Sequence, residues 1–133
     1  MRVKRDKMQV TIAPQKEFPH LDIFKSKFAV TDKTLFAWDN VIYCNYTPTN
    51  DLITHEITHF KQQNEYGLEN WLEYYLKDDK FRLKMEIEAY RNQLNDIKDR
   101  NTRAKLRMEV SKHISSSMYG NIISYEDALR VLK

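Results

Sequence analysis

The chain has 133 residues, 41% hydrophobic and 31% charged, with a formal net charge of +3. That balance suits one globular domain with one core, and no apolar run approaches the roughly 20 residues that a membrane span requires. Two glycines and three prolines disfavour a barrel or sandwich of many tight turns, and a single cysteine, Cys44, rules out an internal disulfide and fits a reducing, cytoplasmic setting.

The N-terminus, MRVKRDKMQVTIAP, is basic but lacks an apolar h-region, so no secretion signal is expected. Within it, MQVTIA puts Met8, Val10 and Ile12 on one face, the pattern of a first strand. FPHLDIF, around Pro19, reads as a short helix. TLFAWDNVIYCN has two runs of strand formers flanking Asp39-Asn40, residues that tolerate left-handed backbone angles, and so predicts a β-hairpin. From Thr49 the periodicity turns helical. Thr49 or Asn50 serves as N-cap, with Asp51 in the first turn, where a carboxylate suits the helix dipole. Gly67 breaks this helix. LENWLEYYL gives a second helix, KFRLKMEIEAYRNQLNDIK a third, and residues 101–116 a fourth. Gly120 interrupts, and Ser124 caps a last short helix, YEDALRVL. The expected architecture is a single α+β domain. Residues 1–48 form mainly strands, a small antiparallel sheet with a hairpin, and residues 49–133 form a helical layer.

The first helix carries LITHEITHFKQ. Positions i and i+4 share a helix face, so His55 and His59 project side by side and can share one ion through their ring nitrogens. Glu56 is offset by about 100°, which suits it to hold a metal's water instead of the metal. Zinc is the ion that this H-E-x-x-H spacing points to, with Glu56 as base. The competing reading is two surface histidines on a structural helix.

A catalytic zinc takes a third protein ligand. Apart from the pair, the histidines are His20 and His113, and neither follows His59 at metal-binding spacing. Glu86 and Glu88 on the third helix are the carboxylate candidates, and they face opposite ways. Leu83, Ile87, Tyr90, Leu94 and Ile97 define the buried stripe, and Glu86 lies within it. Glu88 has Lys84, Arg91, Asn92 and Asn95 as neighbours, a solvated face. A buried carboxylate needs a positive partner, which zinc would be. Ala89 is small enough to let this helix approach the first closely.

The combination HEITH with EIEA resembles the gluzincin metallopeptidases, the thermolysin-like group. It is similar to the short stand-alone members from bacteria and phages, across residues from about 33 to 93. The resemblance implies a minimal zincin-like fold and zinc-dependent hydrolysis of peptide bonds. His55, His59 and Glu86 would be ligands, and Glu56 general base and then proton donor to the leaving amine. Residues near Leu35 to Ala37 would pair with an extended substrate, a peptide or a flexible protein segment. His113 and Tyr119, in SKHISSSMYGN, would be candidate donors to the oxyanion. Where the thermolysin-like enzymes carry an aspartate that orients a ligand histidine, this chain has Tyr90. The alternative is a zinc-stabilised binding or regulatory domain with little turnover.

Other features read plainly. Gln62 and Gln63 are expected to cap or solvate the helix end. Trp71, Tyr74 and Tyr75 are expected in the core, and Cys44 as a small buried residue. KDRNTRAKLR mixes bases with acids and reads as a solvated face, so nucleic acid is disfavoured as a partner.

Overall fold

The computed structural model describes the backbone of residues 2–5 and 8–133, and side chains from Val10 onward. It is an α+β arrangement of four strands and six helices among the described residues. Strand β1 (Arg2–Arg5) pairs antiparallel with β2 (Met8–Ala13). Alternation along β2 buries Val10 and Ile12, as the period-2 pattern requires; the side chain of Met8 lies outside the described residues. A short 3-10 turn (Gln15–Glu17) and α1 (Leu21–Lys27) follow, then β3 (Phe36–Trp38) and β4 (Val41–Tyr43). Asp39 and Asn40 join these strands with φ of 49° and 65°. Two consecutive positive φ values match the twist of the strands, which is why this pair of residues turns the hairpin.

The sheet order is β1-β2-β4-β3. The expected all-antiparallel sheet is corrected here: β4 runs parallel to β2. The connection from β2 passes through α1 and β3, long enough for β4 to re-enter alongside β2 in the same direction. That topology leaves β3 on the sheet's edge.

Helix α2 (Asn50–Tyr66) ends at Gly67, whose φ of 88° stops the helix, and α3 (Leu68–Lys77) follows at once. Asp78 caps α4 (Asp79–Asn95) by accepting from the Lys80 and Phe81 amides. Asp99 caps α5 (Arg100–Ile114), and Ser124 caps α6 (Tyr125–Val131) through the Asp127 amide. Thr49 is the N-cap of α2 by position, but its hydroxyl bonds the Asp51 carboxylate at 2.6 Å instead of a backbone amide. No helix among the described residues is long and apolar enough to cross a membrane.

Three apolar clusters hold these elements together. One is aromatic, with Phe18, Phe36, Trp71 and Tyr75 between the hairpin and α3. A second, with Val10, Ile42, Ile53 and Phe60, fixes α2 on the sheet. A third, with Leu83, Leu94, Ile114 and Leu132, joins α4 to α5 and α6. Helices α2 and α4 form the most extensive pair, and Ala89, wholly buried, lets them approach. Tyr74 is the exception to the expected core set, being 49% exposed while Trp71 and Tyr75 are buried.

Candidate functional site

His55 and His59 project from α2 toward α4, and Glu86 projects back from α4 to meet them. All three are buried, as is Glu56. Glu86 offers one oxygen to each ring: Oε1 lies 3.1 Å from His55 Nε2, and Oε2 lies 3.0 Å from His59 Nε2. The two Nε2 atoms are 3.2 Å apart. Atoms bound to one zinc at about 2.0–2.1 Å, tetrahedrally, lie about 3.3–3.4 Å from each other. The three residues therefore have the mutual spacing of a ligand set. Glu56 stands further off, 4.0 Å from His55 Nε2, although His55, Glu56 and His59 together also offer ligand atoms within 4.8 Å of one another. Glu86 approaches the two rings more closely than Glu56, which stands beside the pair. Glu88 is exposed and takes a hydrogen bond from Gln62 at 2.7 Å.

The far sides of both rings are fixed by amides. His55 Nδ1 lies 2.9 Å from Gln93 Oε1, and His59 Nδ1 lies 2.8 Å from Gln62 Oε1. Neither amide has a choice of orientation. Gln93 Nε2 donates to Asp51 at 2.9 Å, and Gln62 Nε2 donates to the Met85 carbonyl at 3.0 Å and to Glu88. Each glutamine must turn its oxygen to the ring, so each Nδ1 carries a hydrogen and donates it. In the neutral rings both Nε2 atoms are then bare lone pairs, aimed at one another and at a carboxylate. Such a cluster needs a positive charge at its centre, either a proton or a metal cation. The donor set, two imidazole nitrogens and one carboxylate, is one that zinc takes.

The protonation equilibria reflect this. Burial alone would raise the Glu86 carboxyl, but the two histidines hold it well below the usual carboxylate range. Burial disfavours charge on His59, yet Glu86 beside it prevails and raises the ring to about 9. Burial pushes the Glu56 carboxyl up, against the pull of both histidines. The Tyr75 hydroxyl donates to Glu86 Oε2 at 2.8 Å, and burial with that carboxylate pushes the phenol far up, so it keeps its proton.

The cluster opens into a cavity of about 450 Å³. One wall is the segment Thr34–Trp38 with aromatic residues of the first cluster. Val110, His113, Met118 and Tyr119 line the cavity as well. His113 and Tyr119 are thus brought to the same cavity as the histidine pair. Their side chains touch, Tyr119 Oη to His113 Nε2 at 3.2 Å, with Tyr119 only 1% exposed. Burial lowers His113 and raises Tyr119, so both are neutral. Tyr90 packs its ring edge-on to His55, centroids 4.5 Å apart. Orientation of the His55 ring falls to Gln93, one turn further along α4. His20 lies away from the cluster, edge-on to Trp38, and Cys44 is buried with its thiol donating to the Tyr46 carbonyl.

Gln62 and Gln63 are corrected from helix-end solvation to burial, each 2% exposed. Gln62 also accepts from the Trp71 indole at 3.3 Å, so every donor and acceptor of its amide is engaged. Gln93 was not singled out from the sequence, and Tyr75, expected in the core and buried there, was not connected with Glu86. Gln93 had a signal, since it follows Glu86 by seven residues and returns to the same face. Tyr75 had none, because its partner lies on a different helix.

No protein-family model, curated protein or solved structure matches the chain.

Proposed function

We propose that the chain is a zinc-dependent metallopeptidase of minimal zincin-like fold, resembling the short gluzincins, with His55, His59 and Glu86 as ligands and Glu56 as general base. The observation that carries this reading is the convergence of two histidine lone pairs, each forced inward by a glutamine behind it, on a buried carboxylate at a cavity wall. Three protein ligands leave one tetrahedral corner for a reacting molecule. Bound there, zinc supplies a Lewis acid that acidifies water and polarises a carbonyl oxygen.

The chain's own residues supply the rest. Gln93 and Gln62 keep the rings in the tautomer that presents Nε2. Tyr75 holds Glu86 in place through its hydroxyl. Glu56, held above its usual pKa by burial, takes the proton of the attacking water and passes it to the departing amine nitrogen. A neutral His113 whose Nε2 accepts from Tyr119 carries its proton on Nδ1, the donor it would offer to a developing oxyanion. The outward backbone groups of Leu35 and the N–H of Ala37 pair with an extended peptide or flexible protein segment.

The test compares zinc-loaded parent and Glu56→Gln on a mixture of short unstructured peptides, read by mass spectrometry. Both are expected to retain one zinc per chain, with cleavage by the variant slower by about 10²–10⁴. Equal rates would remove Glu56 from the mechanism. A zinc-loaded parent that cleaves nothing would overturn the peptidase reading in favour of a metal-stabilised binding domain.

A further inference from the structure

The edge strand β3 carries a second amide device, one turn beyond the metal ligands on α2. Phe36 and Trp38 stand opposite Tyr43 and Val41 in the ladder. A two-residue turn makes Trp38–Val41 a hydrogen-bonded pair, so Ala37, opposite Ile42, turns its N–H and C=O away from β4. The N–H of Asp39 points the same way, to Gln63, and extending the alternation to the residue just before the strand places the groups of Leu35 on that side too. Gln63 lies against this edge. Its Nε2 donates to the Ala37 carbonyl at 2.8 Å, and its Oε1 accepts from the Asp39 amide at 3.1 Å. One buried carboxamide thus occupies the two groups that a residue of a neighbouring strand would use. At the other end, Gln15 donates to the carbonyls of Thr31 and Thr34 at 2.8 and 2.9 Å, fixing the loop that leads into β3. Between these fixed points, Leu35 N–H, Leu35 C=O and Ala37 N–H have no partner among the described residues. Leu35 and Ala37 both line the cavity beside the histidine pair.

Building on the peptidase reading above, we propose that Gln63 terminates the substrate-binding edge, so that a peptide docks on β3 through two of its carbonyl oxygens and only one of its backbone N–H groups. The enzyme side offers two donors and one acceptor there, whichever way the substrate strand runs. A substrate residue whose N–H would point at Ala37 C=O finds that acceptor taken, so a proline or an N-alkylated residue is tolerated at that position. The residue whose N–H reaches Leu35 C=O must keep its hydrogen. The site therefore selects a short extended segment, and lengthening the peptide past Ala37 adds no strand pairing.

An N-methyl scan of a peptide cleaved by the zinc-loaded parent tests this, each backbone nitrogen outside the scissile bond being methylated in turn. In the segment beside β3, one position is expected to lower kcat/KM by about three- to tenfold, the worth of one net hydrogen bond. Gln63→Ala frees the Ala37 carbonyl and touches no ligand. It is expected to keep its zinc and to add a second sensitive position two residues away. Two sensitive positions in the parent, or an unchanged pattern in the variant, would overturn the proposal. Amide hydrogen exchange on the unmodified parent gives an arm that needs neither a variant nor turnover. The Asp39 amide is expected to be protected while the Leu35 amide exchanges faster. Equal exchange at both would overturn the edge cap even if peptides are cleaved. Absence of any cleavage would refute the peptidase reading and the substrate window with it, whereas a protected Asp39 amide would still uphold the cap.

Discussion

Each ring of the histidine pair is held by an amide whose own orientation is fixed elsewhere. The His55 ring is set by Gln93, and Gln93 by Asp51, so a carboxylate in the first turn of α2 reaches the histidine pair through an amide on α4. Such outer partners typically change metal affinity by about 10–100-fold when removed. Gln93→Leu keeps the bulk and abolishes both hydrogen bonds. It is expected to weaken zinc binding by that factor, measured by competition with a chromophoric chelator, while one zinc still binds at saturation. An unchanged affinity would mean that the ring is held by packing against Tyr90 alone. At this scale the sequence disclosed the histidines, Glu56 and the inward face of Glu86, because all of them follow from helical spacing within one segment. It did not disclose the partners of Gln62, Gln63 or Tyr75. A glutamine is polar wherever it stands, and its burial depends on partners that only the tertiary fold brings within reach.

The same divide holds for the elements. The hairpin was legible because Asp39-Asn40 supplies two residues tolerant of positive φ between two apolar runs. The helices were legible from caps and periodicity. The direction of β4 relative to β2 was not, since alternation sets which face a strand buries and says nothing of its neighbour's direction. β1 was hidden because RVKR, with three basic residues in four, lacks a strand's apolar signature. One connecting element bears directly on the cavity. Gly120, at φ 76°, ends the 3-10 turn that carries Tyr119, and a Cβ there would come within 2.6 Å of an Asp79 carboxylate oxygen. Asp79 pairs with Arg82, a buried cation that also donates to the carbonyls of Tyr75 (2.6 Å) and Met118 (2.7 Å). Gly120→Ala is therefore expected to destabilise by about 1–2 kcal/mol from backbone strain, and further by displacing Asp79. In an Asp79→Ala background the carboxylate contacts are gone, and the backbone part should remain with one tight contact, to the Asp79 Cβ position at 3.1 Å. Thermal melts of the four proteins measure that coupling. Additive effects would show that the carboxylate moves aside freely.

At the scale of the whole molecule, the cluster of His55, His59 and Glu86 lies between α2, which the second apolar cluster ties to the sheet, and α4, which the third ties to α5 and α6. Charge at the cluster should therefore govern global stability. In the metal-free protein the partners are His59 and Glu86. The ring is raised from 6.5 to about 9, so its contribution is complete below about pH 6.5 and is lost as pH rises through 9. Glu86 is lowered, so its contribution is complete above its ordinary 4.5 and is lost as pH falls below that. For this pair, stability of the metal-free protein is expected to be greatest between those two ordinary values, pH 4.5 and 6.5, with Tm declining toward pH 9. Zinc takes the place of the proton. It binds the deprotonated ring, so loading near pH 7.5 should release about one proton per chain, seen as a dependence of the calorimetric heat on buffer ionisation. With zinc at about 1,000 times its dissociation constant, the folded state gains about 4 kcal/mol. The alkaline decline should then disappear, because raising pH no longer removes the charge that holds α2 to α4. Melting curves across pH 5–9, chelator-treated and zinc-loaded, separate the two states. A metal-free Tm that stays level from pH 6.5 to 9, together with no shift on adding zinc, would mean that the histidine pair and Glu86 neither share a proton nor hold a metal.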